Sequence, residues 1–208
     1  MLIFLGILCS YFLGSIPTAY IFGKFLKGID IRQHGSGNVG ATNAFRILGK
    51  GVGIVVLLID ILKGALAVIV VGNIFDFNQV FLRLLLGVVV VIGHNWTIFL
   101  QFKGGKGIAT SLGVLIGLAV QFEPLRLVLI VTLLAWSIPF LISGYVSLSS
   151  MIAALILPVA MLLTKQSWEL LLLGFVFCVF IFIRHIPNIK RLLAGQERPV
   201  NFPFRRNF

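Results

Sequence analysis

Seven long apolar runs joined by short polar connections leave this chain essentially one architecture, a set of helices that cross a membrane. The runs are 2–25, 51–72, 81–101, 108–122, 125–145, 149–164 and 168–186. They are continuous rather than alternating, so they read as helices and not as strands of a lipid-facing barrel. Only 11% of the 208 residues are charged, against about 25% in a soluble domain. Mean hydropathy is +1.10. The expected fold is an all-α polytopic bundle of about seven transmembrane helices. It forms a single domain, 1–208, with a basic tail from about 189. Runs four and six are short for a bilayer that needs about 20 residues. Local thinning or burial by neighbours would have to compensate, and a five-span arrangement is the alternative.

The formal charge of +11 does not indicate nucleic acid, because the basic residues are spread over the connections between spans. One side would carry Lys24, Lys27, Arg32, Arg46, Lys50, Lys103, Lys106, Arg184, Lys190, Arg191, Arg198, Arg205 and Arg206. The other would carry Arg83, Arg126 and Lys165, with Lys63 inside a span. That asymmetry predicts an N-terminus outside and a cytoplasmic C-terminus, with membrane lipids and anionic substrates as partners. Cys9 and Cys178 both fall in apolar runs and read as small buried hydrophobes. No cleaved signal is expected, since no basic residue precedes the first run.

Two polar, glycine-rich connections stand out. Gly35-Ser36-Gly37-Asn38-Val39-Gly40 matches the dinucleotide pattern, but no strand precedes it and a membrane span follows, so that reading fails. Its physics remains: glycines let main-chain N–H groups turn onto an anion, and Ser36, Asn38, Thr42 and Asn43 add polar groups. Phe102-Lys103-Gly104-Gly105-Lys106-Gly107 is not a Walker A loop, because Gly107 stands where a Ser or Thr would hold magnesium. It still joins two lysines to flexible backbone at a helix start. A plain polar turn and a positive-inside loop are the respective structural alternatives.

Other polar groups are sparser. Asp60 and Lys63 lie one turn apart inside the second run, either as a packing ion pair or with Asp60 orienting Lys63 toward an anion. His94 reads either as a hydrogen-bonding residue or as part of the site. His185, Asn188 and Arg191 share a helix face if Pro187 permits. Ser143, Tyr145, Ser147, Ser149 and Ser150 could bind substrate hydroxyls or cap two helices. Gly49, Gly53, Gly113 and Gly117 read as close-packing glycines, and Trp136 and Trp168 as interfacial anchors. His, Cys, Asp and Glu show no metal-ligand spacing, so neither metal nor cofactor is expected.

Taken in order, the motifs resemble those of the bacterial glycerol-3-phosphate acyltransferases that use acyl phosphate, the PlsY family. They are Gly14-Ser15-Ile16-Pro17, Asp30-x-Arg32, and Gly35-Ser36-Gly37-Asn38-x-Gly40-Ala41-Thr42-Asn43 with Arg46. Then come Asp60-x-x-Lys63-Gly64, Gly93-His94, and Phe102 to Gly107 followed by Ala109-Thr110. Ser147-Leu148 and His185-x-x-Asn188-Ile189-x-Arg191-Leu192 complete the set. One departure is Thr97, where the family usually has proline. The serine segment also varies, so only Ser147 carries over. The His-x-x-x-x-Asp dyad of other glycerolipid acyltransferases is absent: Val39, Phe99 and Lys190 stand five residues after His34, His94 and His185.

The resemblance implies transfer of an acyl group from acyl phosphate, not acyl-CoA, to the 1-hydroxyl of sn-glycerol 3-phosphate. Lysophosphatidic acid and phosphate would result, in the first acylation of phospholipid synthesis, at the cytoplasmic face of the bacterial inner membrane. A soluble or peripheral enzyme producing acyl phosphate is an expected partner. Ser36, Arg46, Lys106 and His185 are the expected catalytic residues. Gly37, Asn38, Gly40, Thr42, Asn43, Lys63, His94, Lys103, Gly104, Gly105, Thr110, Ser147, Asn188 and Arg191 are the expected substrate-binding residues. In this scheme the two glycine loops take the donor phosphate, and His185, Asn188 and Arg191 take glycerol 3-phosphate. A transporter for phosphate-bearing solutes is the rival reading, supported by Asp60 and Lys63 inside a span but not by any inverted repeat.

Overall fold

The structure is a computed structural model and describes residues 1–200. Arg205 and Arg206 of the basic tail lie outside the described residues. Every apolar run forms helix, and no strand occurs among the described residues. The chain divides into two compact units, Met1–Glu123 and the residues from Pro124 onward.

The first unit contains α1 (Leu2–Ser15), α2 (Thr18–Lys27), α3 (Ala41–Ile47), α4 (Lys50–Leu66), α5 (Gly72–Ile74), α6 (Val80–Asn95) and α7 (Ile108–Gln121). A π-helical stretch, Ala67–Val71, joins α4 to α5. The second unit contains α8 (Leu125–Ser143), α9 (Val146–Leu163) and α10 (Trp168–Leu193). Among the described residues, six helical segments are long and apolar enough to cross a membrane: Leu2–Lys27, Lys50–Ile74, Val80–Leu100, α8, α9 and α10. The fourth run, α7, has 14 residues, about 21 Å of helix, and its apolar length is shorter than a bilayer core.

In the first unit, glycines set the helix contacts. A side chain built on Gly14 of α1 would collide with the Val90 carbonyl of α6, and one on Gly93 of α6 with the Tyr11 carbonyl of α1. The α4–α7 pair repeats the device with Gly64 against the Thr110 carbonyl and Gly113 against the Ile61 carbonyl. Without a hydrophobic force between helices in lipid, close backbone approach is what holds such pairs together. Gly53 and Gly117 are also packed tightly. Gly49 is not; it has open space around it and φ of 103°, so it turns the chain between α3 and α4 instead of packing a helix.

The first span breaks at Ile16-Pro17, because proline has no N–H to continue the helix. The exposed carbonyls are caught from two directions. Lys63 Nζ donates to the Ile16 carbonyl at 3.2 Å, and Thr97 Oγ1 donates to the Ser15 carbonyl at 2.5 Å. Thr97 also accepts from the Phe99 amide at 3.3 Å, capping a 3-10 turn. Its φ of −69° suits proline, but a proline here would lose both side-chain bonds. The departure from the family pattern therefore adds a tie to the break.

Three further sequence expectations change. Arg83 is not in an outer connection: it is buried in α6, where it donates to the Val68 carbonyl of the π-helical stretch and to Asn73 Oδ1, both at 2.7 Å. Trp136 is not an end anchor, because it lies inside α8 and its Nε1 donates to Ser150 Oγ at 3.2 Å. Trp168 does stand exposed at the start of α10. Cys178 is buried as expected, whereas Cys9 is exposed.

Candidate active site

The connection from Gly28 to Gly40 is shaped by its own polar groups. Asp30 caps a 3-10 turn, Ile31–Gln33, by accepting from the Arg32 amide at 3.0 Å. Its carboxylate also pairs with the Arg32 guanidinium at 2.7 Å. The hydrogen bond from Arg32 holds the Asp30 carboxyl down at about 2. Asn43 is buried at the start of α3 and staples the loop shut. Its Nδ2 donates to the Ile31 and His34 carbonyls at 3.3 and 3.0 Å, and its Oδ1 accepts from the Ser36 amide at 3.0 Å. A side chain on Gly35 would collide with that Oδ1, so glycine is required there by space.

Asn43 therefore contributes loop shape. The Ser36 amide is taken by Asn43 and the Gly37 amide by the His34 carbonyl. The Ser36 side chain is exposed, while Asn38, Thr42 and Arg46 are half-buried and Gly40 buried. Thr42 and Arg46 lie four residues apart on α3 and so share one face.

The second glycine loop is moored to the end of α6. The Gly104 amide donates to the Asn95 carbonyl at 3.1 Å and the Gly105 amide to the His94 carbonyl at 3.0 Å. The sequence reading places Gly104 and Gly105 among the substrate-binding residues; in the structure their amides hold the loop. What the loop presents is different. Gly107 is the N-cap of α7 with φ of 80°, a left-handed conformation that glycine adopts without steric cost. The first N–H groups of α7 have no intrahelical carbonyl to bond. Lys106 stands half-buried immediately before them and Lys103 exposed. Thr110, in the first turn of α7, has a fully buried Oγ1 with no hydrogen-bond partner among the described residues. A helix N-terminus, a lysine and an unsatisfied hydroxyl together suit an anion.

Asp60 and Lys63 face into the first unit, 2% and 3% exposed. Their separation is 2.9 Å. Thr18 Oγ1 donates to the same Asp60 oxygen at 3.1 Å, and His94 Nδ1 lies 3.8 Å from it. The shared, buried geometry is that of a satisfied ion pair at the helix break.

In the second unit, α10 continues through Pro187 to Leu193, so His185, Asn188 and Arg191 do share a face. His185 Nδ1 lies 2.7 Å from the Ile181 carbonyl. A carbonyl only accepts, so Nδ1 carries a proton, and in the neutral ring Nε2 is the basic nitrogen. Of the serine segment, Ser143, Ser149 and Ser150 donate back to carbonyls four residues earlier. Ser150 also accepts from Trp136 of α8, while Ser147 donates to a further element.

That element is the turn after α10, and it carries a residue to which the sequence reading gave no role. Glu197 Oε1 accepts from Ser147 Oγ at 2.9 Å and Asn188 Nδ2 at 2.6 Å, and Oε2 accepts from Arg191 Nε at 2.7 Å. Burial pushes its carboxyl up, but the bonds from Arg191, Asn188 and Ser147 more than offset that and hold it below the ordinary glutamate range. Three residues later the Val200 amide donates to the Gly144 carbonyl at 2.9 Å. The segment after α10 is thus fastened across the α8–α9 connection. Glu197 lies nine residues beyond Asn188, in a segment without helical periodicity. The available signal was its sign, a lone acid among basic residues.

Comparison with known proteins agrees with this architecture. The family model for glycerol-3-phosphate acyltransferase matches residues 4–195. A glycerol-3-phosphate acyltransferase of Chlorobaculum tepidum is 40% identical over 97% of this chain and 98% of the relative. A second, glycerol-3-phosphate acyltransferase 2 of Moorella thermoacetica, is 43% identical over 93% of this chain and 95% of the relative. Crystal structures of PlsY, an integral membrane glycerol 3-phosphate acyltransferase, superpose in a glycerol 3-phosphate form and a lysophosphatidic acid form. The TM-scores are 0.85 and 0.82 at 35% identity, and both cover 96% of this chain, with 96% and 95% of the PlsY chain matched. This integral membrane chain, all-helical over its described residues, therefore belongs to the glycerol-3-phosphate acyltransferase family.

Proposed function

We propose that this chain transfers a fatty acyl group from acyl phosphate to the 1-hydroxyl of sn-glycerol 3-phosphate, releasing lysophosphatidic acid and inorganic phosphate. The observation that carries the reading is the N-terminus of α7, where Lys106, the first amides of the helix and the buried, unpartnered Thr110 hydroxyl fall within five consecutive residues. The crystal forms of PlsY name a phosphate-bearing reactant and a phosphate-bearing product for a relative of the same fold. The charge asymmetry of the connections supports a site on the cytoplasmic side of a bacterial inner membrane.

Acyl phosphate is a mixed anhydride with a good leaving group, so no strong acid is needed to expel phosphate. The harder task is to hold two anions together and aim a hydroxyl at the acyl carbon. The hydroxyl oxygen bonds to that carbon, and the carbon–oxygen bond to phosphate then breaks with its electron pair leaving on phosphate. The cations Lys106 and Arg46, with the Ser36 and Thr110 hydroxyls, stabilise the charge at the acyl phosphate and the tetrahedral oxyanion. Ser147, Asn188 and Arg191 hold glycerol 3-phosphate. The hydroxyl proton passes to a phosphate oxygen or to His185 Nε2.

The test is purified protein in detergent with glycerol 3-phosphate and palmitoyl phosphate, scored for lysophosphatidic acid. Product should form with palmitoyl phosphate and not with palmitoyl-CoA. A transporter would give none, since transport needs a sealed vesicle. Within that assay, His185→Ala should raise the KM for glycerol 3-phosphate several-fold more than the KM for palmitoyl phosphate. A defect confined to the donor would reverse the assignment.

A further inference from the structure

We infer that Asp60 is a positioning residue for the Lys103–Gly107 loop, acting through His94. The inference rests on the reading in which that loop holds a phosphate of one substrate.

The geometry runs through the first unit in three steps. The Asp60 carboxylate is fixed from two sides, by Thr18 Oγ1 at 3.1 Å and Lys63 Nζ at 2.9 Å, both on Oδ1. Lys63 is itself tied to the Ile16 carbonyl at the break in the first span. The carboxylate therefore has little freedom to move, and its distance to the next group is set by the fold. That next group is His94, whose Nδ1 lies 3.8 Å from Oδ1. The opposite nitrogen of the same ring, Nε2, lies against Gly105, where any added side chain would collide with it. The imidazole thus spans the gap between a buried carboxylate and the main chain of the loop.

The end of α6 holds that loop by two main-chain bonds, one of them to His94. The His94 carbonyl accepts from the Gly105 amide at 3.0 Å, and the carbonyl of its neighbour Asn95 accepts from the Gly104 amide at 3.1 Å. A carboxylate 3.8 Å from Nδ1 favours a proton on that nitrogen by charge attraction, and the ring is placed by that attraction together with its packing against Gly105. With the ring fixed, Gly105 has one place to sit, and Lys106 follows it into the first turn of α7. A shift of about 1 Å in a group that holds substrate is enough to cost a large factor in turnover. Asp60 touches neither loop nor substrate in this scheme; its effect is the register of the loop.

A packing role alone predicts something different. Looser helices lower the fraction of active enzyme and leave the affinity of the folded fraction unchanged. Positioning changes affinity for the substrate whose phosphate the loop holds. That substrate is identified first with Lys106→Arg, as the one whose KM rises. Asp60→Asn should then raise the same KM about tenfold, with the other KM within twofold. Asp60→Glu keeps a charge beside Lys63 and leaves no uncompensated ion, so it should remain folded if Asp60→Asn does not. It displaces the carboxylate by one methylene and should raise the same KM by a smaller factor.

Wild-type KM values in a folded Asp60 variant would overturn the inference, as would a lower kcat with both KM values unchanged. Lys106→Ala separates this failure from failure of the underlying reading. An inactive Lys106→Ala beside a normal Asp60→Asn removes only the role of Asp60. A fully active Lys106→Ala removes the phosphate-binding loop itself.

Discussion

Lys106→Ala should lower acyl transfer at least about a hundredfold while the protein unfolds at an unchanged temperature. Removing one preorganised donor from a developing oxyanion costs on the order of 10² to 10³ in rate, and Lys106 is a full charge at the mouth of a helix dipole. Its side chain is half-buried between Gly105 and Gly107, and the amides of Gly104 and Gly105 moor the loop to the end of α6. The substitution leaves those two main-chain bonds in place. Lys106→Arg should keep part of the rate, since it keeps the charge but not the ammonium geometry. The measurement is steady-state turnover on palmitoyl phosphate alongside a thermal melt in detergent. A near-normal rate would remove the anion site from α7.

Glu197→Gln should destabilise the second unit by about 2 kcal/mol and reduce turnover more than tenfold. Breaking a buried ion pair by neutralising one partner costs about 3–5 kcal/mol. The Arg191 side chain is 37% exposed, so water recovers part of that. Glutamine can still accept from Ser147 or Asn188, but its amide nitrogen would meet the Arg191 Nε–H donor to donor. The three polar side chains that the proposal assigns to glycerol 3-phosphate would lose their common anchor.

The pH dependence has a definite sign. Glu197 has a folded-state pKa held below its ordinary value, so its contribution is present above the ordinary glutamate range and lost as pH falls through the folded pKa. Thermal melts from pH 7 downward should therefore show the wild-type protein losing an increment of stability below about 4.5 that Glu197→Gln lacks. Parallel curves for the two proteins would show that folding does not lower the pKa of this carboxyl.

The two glycine loops show how far residue types alone could be read. Glycines next to lysines at a helix start do indicate an anion site, because few other uses need that combination. They do not say which amides face the ligand. At Gly104 and Gly105 the amides bond to the end of α6 instead, a consequence of where residues 94 and 95 come to lie. Asn43 follows the same logic: a carboxamide in a polar loop suits a substrate, but here the carbonyls of Ile31 and His34 claim it first. Pro187 is the opposite case: in the sequence the shared face of His185, Asn188 and Arg191 is conditional on it, and α10 runs through it.

Some properties were inherent in the chain itself. Continuous apolar runs demand helices, since no unpaired main-chain group is tolerated in lipid. The order of Gly-Ser-Gly-Asn, Lys-Gly-Gly-Lys-Gly and His-x-x-Asn motifs carried the family. Other properties needed the folded molecule. Glu197 reaches Ser147 across fifty residues, and His94 stands between Asp60 and Gly105 because α4, α6 and the loop before α7 meet there. Local periodicity records which face of a helix is apolar; it holds no information on which distant polar group will arrive to satisfy a buried charge.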